Sequence, residues 1–155
     1  LRFLDVYVFR NEPYRYSMIL TVWDLLNEHF ALGIGFGRFT ELFDSIKHPH
    51  TPDGFLARTT ENMYLMITAE TGVLGLSSFC TLNATLLYKI YAGIRNEQSS
   101  TKKTYLWSIF CSIFGSLIIA VSWDHLNHPT IRIMYWLLIG VALNALKNIH
   151  TTDKI

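Results

Sequence analysis

Charge is what this chain has least of. Only 16% of its 155 residues are Asp, Glu, Lys or Arg, against about 25% in an ordinary soluble domain. Half are hydrophobic, and the mean hydropathy is positive. That deficit argues against a water-soluble domain and for membrane-spanning helices. An excess of one sign is missing too: 13 Lys and Arg against 12 Asp and Glu leave a net charge of +1, which suggests no nucleic-acid partner. Cysteine is nearly absent. Cys80 and Cys111 both fall in apolar stretches, where a thiol is expected to pack as a small buried hydrophobe rather than form a disulfide or bind metal. No basic-then-apolar leader opens the sequence, so no cleavable signal peptide is expected. The chain reads as an excerpt from a longer polytopic protein whose preceding part carries further spans.

Long uncharged runs are what it does have. Residues 104–123 are twenty positions without a charge; at 1.5 Å per residue a helix of that length is about 30 Å long, the thickness of a hydrocarbon core. Residues 71–88 form a second run, ending at Lys89, whose stem can reach an interface. Residues 133–146 form a third, only fourteen long between Arg132 and Lys147, and span with help from snorkelling ends. Arg95, Lys102 and Lys103 place the loop after the first run in the cytoplasm, and Lys147 and Lys154 place the tail there. The expected organisation is an all-α polytopic membrane protein. An external region covers residues 1–72, three spans cover 73–147, and a cytoplasmic tail covers 148–155. The external region also carries Arg2, Arg10, Arg15, Arg38, Lys47 and Arg58. These break the usual bias, so the segment either meets an anionic ligand or is a long loop exempt from the rule.

Within that region, Asn11 and Pro13 predict a helix start. Tyr16, Ile19, Leu20, Trp23, Leu26 and Phe30 then recur at helical spacing, with Ser17, Thr21, Asp24, Asn27 and Glu28 on other faces. The apolar stripe packs either on other helices or on the membrane surface. Gly33, Gly35 and Gly37 follow; their spacing is not a dinucleotide fingerprint, and a helix stop with a turn explains them as well as contact with a sugar or phosphate does. The loop from His48 to Gly54 and the pair His125 and His128 have too few ligands in too flexible a setting to predict a metal. Thr59 or Thr60 should cap the next helix and put Glu61 in its first turn, where the helix dipole favours a carboxylate. Glu61 is then either a helix-terminal charge paired with Arg58 or a working carboxylate. Glu70, nine residues on, is about 180° around the helix and makes no carboxylate pair with it.

The order of these pieces resembles the C-terminal half of the O-antigen ligase and polymerase family of bacterial membrane glycosyltransferases. Arg15 lies fourteen residues before His29, and Gly33, Gly35 and Gly37 follow. After a variable loop come Glu61-Asn62-Met63-Tyr64-Leu65, then Glu70-Thr71-Gly72 and an uncharged run. Phe30 stands where the family usually has proline, and Glu61 stands where its ligases have histidine, which favours a polymerase or related exopolysaccharide enzyme. The resemblance implies an enzyme of the bacterial cytoplasmic (inner) membrane with its active side outward. Its substrates would be an undecaprenyl diphosphate-linked glycan and an acceptor glycan or lipid-linked saccharide, with membrane lipid around it and no metal or other cofactor. Arg15 would hold the diphosphate and Glu61 would serve as general base; Arg58, Arg38, His29, Asn62 and Tyr64 would bind substrate. A non-enzymatic membrane protein, such as a transporter fragment or an assembly subunit, would explain the runs equally well but not the ordered motifs.

Overall fold

In the computed structural model, which describes residues 12–49, 51 and 60–152, every regular element is helical. These are α1 (Glu12–His29), α2 (Phe39–Ile46), α3 (Met63–Asn96), α4 (Ser100–Ile119), a 3₁₀ turn (His125–Asn127) and α5 (Pro129–Thr152). The chain divides into two compact units, one up to Ser77 and one from Ser78 onward.

In the first unit α1 carries Pro13 in its first turn, where a missing N–H costs nothing; Asn11, the expected cap, lies outside the described residues. Met18, Val22 and Leu25 recur at spacings of four and three and bury one stripe of α1 against Phe39 and Phe43 of α2 and Ala69 of α3. The expected apolar stripe is not this one. Tyr16, Ile19, Trp23 and Phe30 are exposed, and the polar positions Ser17 and Thr21 are buried in their place. Burial is tolerable because the polar atoms are paired. Thr21 Oγ1 donates to the Ser17 carbonyl at 2.8 Å and accepts the His48 amide at 3.0 Å. α2 was not foreseen: its start is fixed from a distance by Glu70, described below.

Gly72 breaks α3. Its φ of 66° and ψ of −168° interrupt the ladder, so the carbonyls of Ala69 and Glu70 and the amides of Val73 and Leu74 lose their partners within the helix. The segment after α1 supplies all four. Ile34 and Gly35 donate to Ala69 and Glu70 at 3.0 and 2.9 Å, while Phe30 and Ala31 accept from Val73 and Leu74 at 3.0 and 3.3 Å. Two glycines permit this crossing. A Cβ on Gly33 would lie 2.5 Å from the Ala69 oxygen, and one on Gly72 would lie 2.3 Å from the Ala31 oxygen. The glycine run and the Glu-Thr-Gly element are thus two halves of one backbone exchange.

In the second unit, Leu86, Ile90 and Ile94 of α3 pack with Leu106, Ile109 and Ile113 of α4 and with Tyr135, Ile139, Ala142 and Leu146 of α5. Tyr135 donates its hydroxyl to Asn83 Oδ1, and Asn83 Nδ2 donates to the Phe79 carbonyl at 2.9 Å, so this buried polar pair is satisfied. The outward faces are apolar as well: Tyr88, Trp107, Phe114, Ile118, Trp136 and Leu137 are all exposed. Cys80 and Cys111 are free thiols on these outward faces, not in the core. Among the described helices, α3 and α5 are long and apolar enough to cross a membrane. Only 17% of the most apolar stretch of α5 is covered by protein, whereas the core helix of a soluble domain would be mostly covered. The run at 104–123 is not helical throughout. α4 begins at Ser100, includes Lys102 and Lys103, and ends at Ile119, which leaves 16 uncharged helical residues, about 24 Å. α5 gains what α4 loses, because it starts at Pro129, ahead of the expected third run.

Candidate functional site

Arg15 and Glu61 meet. Arg15 is the fourth residue of α1 and Glu61 lies two residues before the start of α3, and their Nε and Oε2 atoms are 3.5 Å apart. Both side chains are accessible, at 49% and 39% exposure. Glu61 is the only described non-glycine residue with positive φ, 54°, a conformation that costs about 1–2 kcal/mol because Cβ crowds the following carbonyl. An exposed ion pair stabilises by only about 0–1 kcal/mol. The ion pair is thus no larger than the backbone cost, and a strained carboxylate held beside an arginine is a candidate functional site.

The neighbours of Glu61 impose that conformation. Thr60 is buried, and its hydroxyl donates to the Asn62 carbonyl at 2.6 Å, spanning Glu61. Asn62 Oδ1 accepts the Leu65 amide at 3.1 Å. Asn62 is thus the helix cap, in place of the expected Thr59 or Thr60, and Glu61 lies outside the helix rather than in its first turn. The Asn62 side-chain oxygen is thereby engaged with the backbone. Tyr64, in the first turn of α3, is half-buried. Arg58 lies outside the described residues.

His29 ends α1, fourteen residues from Arg15, which is about 21 Å along the helix. One diphosphate cannot bridge that distance. Arg38 is exposed and occupies the N-cap position of α2. The anion position at that helix start is already filled: Glu70, 6% exposed, points Oε1 at the Phe39 amide at 3.4 Å. This answers the phosphate-loop alternative, since a carboxylate from α3 stands where a phosphate would. Gly33 and Gly35 spend their geometry on the exchange with α3. Among the described residues no group of three or more His, Cys, Asp or Glu could hold a metal; His50 and Asp53 lie outside them. A shallow concavity on the outer face of α5, around Trp136, Gly140 and Asn144, has Arg132 as its one ionisable group and offers no nucleophile or base.

No family model, no curated protein and no solved structure matches this chain.

Proposed function

We propose that the protein is a multi-pass glycosyltransferase of the O-antigen polymerase or ligase type in the bacterial inner membrane, with Arg15 and Glu61 at its catalytic centre. The observation that carries this reading is their ion pair: two residues 46 positions apart, each selected from the sequence for a different chemical role, lie 3.5 Å from one another and remain open to solvent. The second span is α4 with snorkelling ends, between α3 and α5. The short connection after α3, flanked by Arg95, Lys102 and Lys103, is cytoplasmic, so Arg15 and Glu61 are external.

The acceptor hydroxyl oxygen attacks the anomeric carbon of the carrier-linked glycan. The bond from that carbon to the diphosphate oxygen breaks, and undecaprenyl diphosphate leaves with the electron pair. Glu61 takes the hydroxyl proton, a contribution of about 10²–10⁴ in rate. Arg15 stabilises the charge gathering on the diphosphate without a metal, through its forked donors. In the ligand-free state the same arginine neutralises Glu61, and diphosphate binding draws the guanidinium toward the phosphates as the carboxylate acts as base.

The transporter alternative draws on one specific observation, the broken helix at Gly72, since discontinuous helices expose backbone groups to ions and substrates. Here the four freed groups are taken by residues 30–35, and none is left for a transported species. Glu61→Gln tests the enzymatic reading. Glutamine keeps the shape, so membrane level should hold while consumption of carrier-linked glycan in proteoliposomes falls by about two to four orders of magnitude. Near-normal turnover would remove the base and the mechanism with it.

A further inference from the structure

α1 is apolar on two opposite sides. At 100° per residue, Met18, Val22 and Leu25 face the core of the first unit. Tyr16, Ile19, Leu20, Trp23, Leu26 and Phe30 fall within about 120° of arc on the other side. From Tyr16 to Phe30 no charged residue shares that arc; Asp24 and Glu28 flank it on one edge and Arg15 on the other. Trp23 is 64% exposed. The apolar surface does not stop at the end of the helix. Leu32 is 73% exposed, and so, at 56%, is Leu74. The Leu74 amide is bonded to the Ala31 carbonyl, so Phe30 and Leu32 stand beside the point where the uncharged run of α3 begins.

We infer that this outer face of α1, continued by Leu32 and Leu74, lies in the headgroup and upper acyl region of the lipid bilayer. Continuity identifies the occupant. Leu74 belongs to a helix long and apolar enough to cross a membrane, and whatever covers that helix at its first uncharged turn covers Phe30 and Leu32 as well. The side chains suit the location: Trp and Tyr place an apolar ring in lipid and a polar atom at the interface. Asn27 is the one uncharged polar residue on the arc, while the charged flanks stay in the headgroup layer. The helix thereby fixes the depth of the first unit and keeps Arg15, on the flank, at the level where a lipid-borne diphosphate resides. This rests on the membrane placement proposed above but not on the chemistry assigned to Glu61.

The test needs no substrate. The protein is reconstituted in vesicles of phosphatidylethanolamine and phosphatidylglycerol with Trp107, Trp123 and Trp136 each replaced by Phe, leaving Trp23 as the sole tryptophan. Trp23 emission should be blue-shifted, strongly quenched by lipids brominated near the headgroup, weakly quenched by lipids brominated near the chain end, and shielded from aqueous iodide. Quenching by iodide but not by bromolipid would overturn the inference in favour of water. Resistance to both would overturn it in favour of a protein partner. If the triple replacement does not fold, the native tryptophans are kept and a polarity-sensitive thiol dye is placed at Ile19→Cys or Glu28→Cys, with Cys80 and Cys111 changed to Ser. A blue shift at position 19 well beyond that at 28 supports lipid contact, and equal water-like emission refutes it. The same dye at Leu82→Cys separates the two proposals: lipid at 82 with water at 19 would sink this inference and leave the spans standing.

Discussion

Gly72→Ala should be among the most damaging single-methyl additions in the first unit. The added Cβ would sit 2.3 Å from the Ala31 oxygen and 2.4 Å from its carbon. Both are backbone atoms that cannot rotate away. Alanine at φ 66° also bears the left-handed penalty of about 1–2 kcal/mol. Relief of the clash requires separating the strands of the crossing, and losing the bonds from Val73 and Leu74 costs about 0.5–1.5 kcal/mol each. The sum is about 2–5 kcal/mol. Gly37→Ala is the internal control. Its φ is 76°, yet nothing lies within 4 Å of the new Cβ, so only the conformational penalty of about 1–2 kcal/mol applies. Unfolding of the two variants by SDS titration in detergent micelles, followed by far-ultraviolet circular dichroism, measures the difference. Equal losses would mean that the crossing at Gly33 and Gly72 is not a tight backbone contact, and the account of the broken helix would fail.

Three further outcomes are expected. Arg15→Lys should slow turnover about ten- to a hundredfold at unchanged protein level, because a point charge forfeits one charge-assisted bond of about 1.5–3 kcal/mol; full polymer output would make Arg15 a surface charge. Glu61→Gly should stabilise the fold by about 1 kcal/mol by relieving the positive φ while abolishing activity, and loss of both would assign Glu61 a structural role. Tyr135→Phe should cost about 0.6 kcal/mol and no more than about 1.7, the range for hydrogen bonds between helices in a membrane. A larger loss in the same SDS titration would make the Asn83 pair more than a packing detail.

The parts of the fold legible from sequence were those that depend on local pattern. Uncharged runs with basic ends marked α3, α4 and α5, and glycines marked the turn after α1. The misreadings arose where partners are remote. Tyr16, Ile19, Trp23 and Phe30 form a more hydrophobic stripe than Ser17, Met18, Thr21 and Val22, yet the weaker stripe is buried, because His48 satisfies Thr21 from 27 residues away. α2 carries a local pattern, with Phe39, Leu42, Phe43 and Ile46 at helical spacing, but its N-terminal partner, Glu70, is 31 residues distant and follows from no spacing. The cap of α3 is Asn62 rather than Thr60 because the Thr60 hydroxyl turns to the Asn62 backbone while Asn62 Oδ1 takes the Leu65 amide; Thr59 lies outside the described residues. Of the site, nothing in the spacing brings Arg15 to Glu61, and the resemblance implied separate roles for them with no contact between them. The separation of His29 from Arg15 follows only once α1 is known to be one continuous helix.

In the proposed reaction Arg15 and Glu61 transfer a glycan from a lipid diphosphate. The direct measurement is release of undecaprenyl diphosphate from a purified carrier-linked oligosaccharide by the reconstituted protein, with and without a metal chelator. Each carrier molecule released should match one oligosaccharide joined to acceptor, chelation should change nothing, and Glu61→Gln and Arg15→Lys should both suppress the release. Release at the same rate by the wild type and both variants, or no release by the wild type when acceptor is present, would contradict it.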